Sequence, residues 1–111
     1  MEIKQATAAL AALGQSTRLS VFRCLVQAGP EGRMPGEIAE NLSLAGATLS
    51  FHLKELAAAG LVQAEPRGRF ICYRADFDAM RELLGFLTEN CCGGNAACAP
   101  LACTPVQPDL G

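Results

Sequence analysis

Apolar residues recur along this chain with two different periods, and the change of period marks out its parts. Over residues 3–13, Ile3, Ala6, Leu10 and Leu13 fall on one side of a helix, which Gly14 ends. Ser16 is placed to N-cap a second helix over roughly 17–28, whose broad stripe is Leu19, Phe22, Cys24, Leu25 and Val26. Gly29-Pro30 stops it. After the loop Glu31-Gly32-Arg33-Met34, a short helix begins near Pro35, with Ile38, Ala39 and Leu42 on its buried side. The turn Ser43-Leu44-Ala45-Gly46 leads into a helix of about 47–59. There Leu49, Leu53 and Leu56 share one face, and Gly60 supplies a left-handed stop. The period then shortens. Leu61–Glu65 and Phe70–Arg74 read as strands flanking the hairpin turn Pro66-Arg67-Gly68-Arg69. A last helix, about 77–89, carries Phe77, Met80, Leu83, Leu84 and Leu87, and periodicity is lost from Asn90 onward.

Two short helices joined by a tight turn and followed by a hairpin predict a mainly α winged helix-turn-helix, ordered α-α-α-α-β-β-α. The first and last helices are too apolar for a solvated flank. Packing against each other across a two-fold axis, as a homodimer, would cover them. The expected division is a DNA-binding and dimerisation domain over 1–89, a cysteine-rich segment over 90–104 and a flexible tail over 105–111.

Composition narrows the function classes. The chain has 111 residues, half of them apolar, with few aromatics and no Trp, so one small helix-rich domain built on Leu and Ala is expected. Its core is thin enough that oligomerisation would help. No apolar run approaches the ~20 residues of a membrane span. No signal peptide precedes the first helix, so no membrane partner and a cytoplasmic location with reduced thiols are expected. A net charge of −2 is a mild argument against a nucleic-acid binder, so any DNA reading rests on local charge. Between Thr48 and Arg74 the cations Lys54, Arg67, Arg69 and Arg74 outnumber the anions Glu55 and Glu65, leaving +2, with His52 in reserve.

Thr48, Ser50, Phe51 and Lys54 lie off the leucine stripe of the fourth helix and are candidates to face a DNA major groove. The hydroxyls suit base edges or phosphates, Phe51 a thymine methyl, and Lys54 a phosphate. An ordinary solvated helix face is the plainer alternative. His52 follows Leu49 by three positions, which fits a satisfied structural histidine as well as a DNA contact. Arg67 and Arg69 flank Gly68 at the wing tip, where guanidinium groups suit phosphate or minor-groove contact. Arg18 fits either phosphate contact or structural packing.

The remaining chemistry is sulfur. Cys91, Cys92 and Cys98 fall within eight residues, and Gly93-Gly94 lets the backbone fold back between them. Adjacent cysteines bridge each other poorly, because a disulfide wants a wider Cα separation than neighbouring residues reach. Six cysteines would suit a disulfide scaffold by number, but four crowd into residues 91–103 while Cys24 and Cys72 stand alone as packing residues. Three readings stay open on residues alone. The thiols can converge on a soft ion, Cys103 can add a fourth ligand for tetrahedral zinc, or Cys91 or Cys92 can be oxidised and resolved by Cys98 or Cys103. No catalytic residues are expected, since no general base is evident beyond His52.

With these residues in place, the chain resembles the ArsR/SmtB family of metal-responsive repressors from about residue 8 to 89. The resemblance rests on Leu13-Gly14-Gln15-Ser16-Thr17-Arg18-Leu19, Gly36-Glu37-Ile38-Ala39, Leu49-Ser50-Phe51-His52-Leu53-Lys54-Glu55-Leu56, Ala59-Gly60-Leu61-Val62 and Arg67-Gly68-Arg69. Thr88-Glu89-Asn90-Cys91-Cys92 followed by Cys98 is similar to the arsenite-responsive subgroup with three thiolates just after the last helix. The resemblance implies a dimer on an imperfect palindrome of double-stranded operator DNA, released when As(III) or Sb(III) binds Cys91, Cys92 and Cys98, with Cys103 a spectator. It implies control of arsenic-resistance genes. A thiol-redox or zinc-responsive repressor of the same fold is the alternative. The stretch Arg33-Met34-Pro35-Gly36 lacks the Cys-x-Cys motif of other arsenic-responsive members, and the last helix lacks the Asp and His pairs of the family's zinc site.

Overall fold

A computed structural model describes residues 1–91; Cys92, Cys98, Cys103 and the tail over 105–111 lie outside the described residues. The described residues form a winged helix-turn-helix: α1 (Ile3–Leu13), α2 (Ser16–Ala28), α3 (Pro35–Leu42), α4 (Gly46–Ala58), β1 (Val62–Arg67), β2 (Phe70–Ala75) and α5 (Phe77–Leu87).

Burial of the α4 stripe organises the domain. Leu49, Leu53 and Leu56 are fully enclosed and join Val21, Phe22 and Leu25 of α2, Ile38 of α3, Leu83 of α5 and Leu61, which precedes β1, in one core. Each such side chain contributes about 1.5–3 kcal/mol by leaving water. The small residues Ala6, Ala9 and Ala12 give α1 its buried face, so α1 lies close against the body while Ile3 and Leu10 point outward. The side predicted for α1 holds in part: Ala6 is buried and Leu13 packs on the core, whereas Ile3 and Leu10 are exposed and Ala9 and Ala12 pack in their place.

Helix ends are set by specific groups. The cap of α2 is Gln15 rather than Ser16, because its Oε1 accepts the backbone N–H of Arg18 at 2.7 Å. Glu37 reaches back to the backbone N–H of Met34 at 2.8 Å and closes the start of α3. In the turn between α3 and α4 the left-handed residue is Ser43, with φ +54°. Gly60 takes φ +79° after α4, as its position predicts. Asp76 caps α5 through Oδ1, which accepts from Ala79 at 3.0 Å.

The wing is an antiparallel hairpin in which Val62 pairs with Ala75 and Arg67 with Phe70. Its turn is only Gly68-Arg69, with Gly68 at φ +64°, the glycine-first pattern of a two-residue hairpin loop. Pro66 thus belongs to β1, opposite Ile71, and not to the turn. A two-stranded sheet has no third strand to demand its missing N–H. The hairpin is tied to the body by a bridge between Arg33 and Tyr73, whose backbone groups exchange hydrogen bonds of 2.8 and 2.9 Å.

Gly32 makes that bridge possible. At φ +72°, a Cβ there would lie 2.4 Å from the Tyr73 carbonyl oxygen and 2.9 Å from Cys72 Sγ. Gly32→Ala is therefore expected to destabilise the domain by about 2–4 kcal/mol, from left-handed strain and overlap together. Urea unfolding followed by circular dichroism measures this, and an unchanged midpoint would show that the loop can retreat from β2 at no cost.

Candidate nucleic-acid interface

Because α4 buries Leu49, Leu53 and Leu56, its opposite side is committed to solvent. Thr48, Ser50, Phe51 and Lys54 are all exposed there, as their offset from the stripe predicts. Phe51 is 54% exposed. Ser50 also lines an open groove of about 780 Å³ with Met34, Pro35, Gly36, Glu37 and Glu40 on one side and Arg69, Phe70, Ile71 and Tyr73 on the other. The helix-turn-helix and the wing therefore open onto one surface. Phe70, 64% exposed at the tip of the wing beside the turn, was not among the residues singled out from sequence, since alternation in a short strand does not say which face lacks a cover.

His52 does not join this surface. It is 6% exposed, and its Nδ1 accepts a hydrogen bond from Arg18 Nε at 3.3 Å. Of the two roles the sequence left open for His52, its burial and hydrogen bond favour the structural one over the DNA contact: the turn of helix that puts it three residues after Leu49 carries it to the edge of the core. Arg18 is the residue that sequence reasoning left undecided. Its Nη1 donates to the Ala12 carbonyl at the end of α1 at 3.3 Å, and its guanidinium carbon lies 5.6 Å from the Phe51 ring centroid. The His52 and Phe51 rings meet edge to face at 5.5 Å and 63°. One arginine on α2 thus holds together α1, α2 and α4, and its role here is packing.

The two wing arginines are unequal. Arg67 Nη2 lies 3.4 Å from Glu65 Oε1, and Arg74 Nη1 binds the same oxygen at 2.5 Å. Arg74 also donates to Gln63, which in turn donates to Asp76, so a polar ladder runs the length of the hairpin. The hydrogen bond from Arg74, then the charges of Arg74 and Arg67, hold the Glu65 carboxyl below its ordinary value of 4.5. Arg67 shares its charge with Glu65, whereas Arg69 makes no ion pair among the described residues. Arg69 and Lys54 are the cations best placed to meet phosphate.

Of the three candidate thiols only Cys91 is described. It stands four residues beyond α5, and its backbone N–H donates to the Thr88 carbonyl at 2.9 Å. Cys72 is enclosed under Gly32, with its Sγ 3.3 Å from the Glu31 carbonyl, and Cys24 is half-buried on α2. Among the described residues no three His, Cys, Asp or Glu side chains gather in a way that could hold a metal ion. No helix of the described residues is long and apolar enough to cross a membrane.

Comparison with known proteins places this geometry. A family described as a helix-turn-helix domain matches residues 13–63. No curated protein sequence matches the chain. An ArsR-like transcriptional regulator from a Rhodococcus species superposes with a TM-score of 0.68 at 27% identity, covering 76% of each chain. NolR from Sinorhizobium fredii gives 0.62 at 30% identity, covering 78% of this chain and 83% of its own. The homodimeric winged helix-turn-helix DNA-binding domain of a possible ArsR-family transcriptional regulator from Mycobacterium bovis gives 0.64 at 25% identity, with 79% and 82% covered.

The ladder on the wing has a measurable consequence. Glu65→Gln removes the anion from Arg67 and Arg74, so affinity for random duplex DNA is expected to rise a few-fold, with a steeper dependence on salt. The same pairing stabilises the wild-type wing fully above pH 4.5 and is lost as pH falls through the depressed Glu65 value. The variant is expected to lack that part of the acid sensitivity. Anisotropy titrations across salt and unfolding midpoints across acidic pH read the two effects. A variant with the wild-type salt slope would mean that Arg67 does not reach phosphate.

Proposed function

The chain belongs to the ArsR family of helix-turn-helix transcriptional regulators, and from that premise we propose that it is a homodimeric repressor whose hold on operator DNA is released by As(III) or Sb(III). The observation that carries the DNA-binding half is the exposed face of α4, with Thr48, Ser50, Phe51 and Lys54, joined to the wing by the groove that Ser50 and Arg69 both line. Ser50 and Thr48 meet base edges or phosphates, and Lys54 and the wing-tip residues Arg67 and Arg69 meet phosphates, Arg67 with part of its charge shared with Glu65. Two copies of α4 enter successive major grooves of an imperfect palindrome, about one helical turn apart.

Dimerisation uses α1 and α5. Ile3 and Leu10 on α1 and Leu84 and Leu87 on α5 are exposed apolar side chains. Beside them an apolar groove of about 380 Å³ is lined by Leu13, Leu19, Phe22, Val26, Met80 and Leu83 among others. A partner's helices would remove this area from water. The homodimeric state of the Mycobacterium bovis domain supports the same assembly here.

The inducer half rests on the chemistry of Cys91, Cys92 and Cys98. Trivalent arsenic and antimony are soft, bind thiolate sulfur strongly and take three ligands in a pyramid. Cys24 is half-buried on α2 and Cys72 is enclosed under Gly32, so the proposed ligands are Cys91 with Cys92 and Cys98, the set the resemblance implies, and Cys103 is left a spectator. Binding requires deprotonated thiols and weakens as pH falls. Cys91 stands just past α5, so drawing three sulfurs together there pulls on a helix of the dimer face and changes the spacing of the two α4 helices. A coupling of ~1–3 kcal/mol is the usual scale for such linkage.

The test is fluorescence anisotropy with a labelled promoter fragment from beside the protein's own gene. Reduced protein is expected to bind it, As(III) to release it, and Cys91→Ser, Cys92→Ser and Cys98→Ser each to abolish release while keeping binding. Tight binding that ignores As(III) but yields to peroxide or zinc would move the inducer to the thiol-redox or zinc reading. Absence of binding at low salt would remove the repressor function altogether.

A further inference from the structure

An exposed phenylalanine in the middle of a polar, DNA-facing helix surface invites a specific role. A single exposed apolar side chain needs no explanation by itself. Phe51 differs because its surroundings restrain it. The Arg18 guanidinium stands over its ring at 5.6 Å, within cation–π range, and the His52 ring meets it edge to face at 5.5 Å. Arg18 is in turn pinned by the Ala12 carbonyl and by His52 Nδ1, each at 3.3 Å. A buried histidine and a partly buried arginine thus hold in place a ring that remains 54% exposed.

We infer that Phe51 reads a thymine C5-methyl group in the major groove and that Arg18 and His52 are positioning residues for it. The inference rests on the DNA-binding reading of α4. The phenyl ring carries no donor or acceptor, so it cannot read the polar pattern of a base edge. The thymine methyl is the one apolar feature that base pairs present in the major groove. Ser50 and Thr48 nearby on the helix supply hydroxyls for polar edges, and Lys54 one turn on supplies charge for the backbone. Fixing the ring before DNA arrives means that the contact is made without first ordering the side chain. An Arg18 acting in this way is a structural support and not a phosphate contact, and the two roles differ in their dependence on salt.

The experiment is a methyl scan of the same promoter fragment. Each thymine in the protected region is replaced singly by deoxyuridine, which removes only the methyl group. With wild-type protein one thymine per half-site is expected to stand out, its replacement weakening binding about four-fold, the scale of one methyl buried. With Phe51→Ala the scan becomes flat at that position and unchanged elsewhere. Phe51→Leu, which keeps an apolar tip, retains part of the dependence and guards against a general loss of binding. Arg18→Gln keeps the wild-type salt slope while the methyl dependence at that position falls. A wild-type scan with no sensitive thymine, or a sensitive thymine equally sensitive in Phe51→Ala, overturns the inference while leaving the repressor intact. A salt slope lowered by about one in Arg18→Gln overturns the positioning role, since it would place Arg18 on phosphate. If wild-type protein binds no fragment at all, the DNA reading fails and the inference with it.

Discussion

Everything outward-facing on this protein depends on the enclosure of Leu49, Leu53 and Leu56. These three side chains bind α4 to α2 and α3, and the one polar group buried beside them, His52, is hydrogen-bonded to Arg18 of α2. A helix fixed by one stripe has its opposite face decided by geometry alone. The stripe therefore determines which residues are offered to a partner, and the wing determines what stands next to them. The short α3, with Ile38 fully enclosed, acts as the other wall of the same core and sets the angle at which α4 leaves the turn at Ser43.

Charge is distributed more sparingly than the sequence total suggests. The chain is net acidic, and even its most basic segment pairs part of its charge internally, with Glu65 accepting from both Arg74 and Arg67. Glu37 and Glu40 also border the groove between α3 and the wing. A surface of this kind depends less on bulk attraction to phosphate and more on fit, because the unspecific electrostatic contribution is small.

The order of elements was legible because the helices carry apolar stripes and three of their stops, after α1, α2 and α4, carry a glycine. Gly60 and the four exposed residues of α4 were readable for the same cause: three leucines at helical spacing define both faces of the helix at once. What could not be read lay in contacts between distant positions. His52 sits at the edge of its stripe, and the partner that decides its burial, Arg18, is 34 residues away. The cap at Gln15 was missed because a serine beside it has the stronger general preference. In α1 the conspicuous large residues drew the stripe, while close approach to the body selected the alanines. In the wing, Pro66 looked like a turn residue, and only the register shows it inside β1. The candidate thiols Cys91, Cys92 and Cys98 were legible as a cluster from sequence, and of these only Cys91 falls among the described residues.

The bridge between Arg33 and Tyr73 has an effect beyond stability. It sutures the hairpin to the segment that leads directly into α3, so the wing cannot swing independently of the helices beside it. In many binding proteins a protruding hairpin samples a range of poses and must forfeit that freedom when it docks. Here the excursion is already curtailed in the unbound chain, so docking surrenders little disorder at the wing. The penalty is a loss of accommodation. A duplex whose groove geometry departs from the preset angle between α4 and the hairpin must itself deform to fit, so the shape and flexibility of the DNA become part of what the protein discriminates.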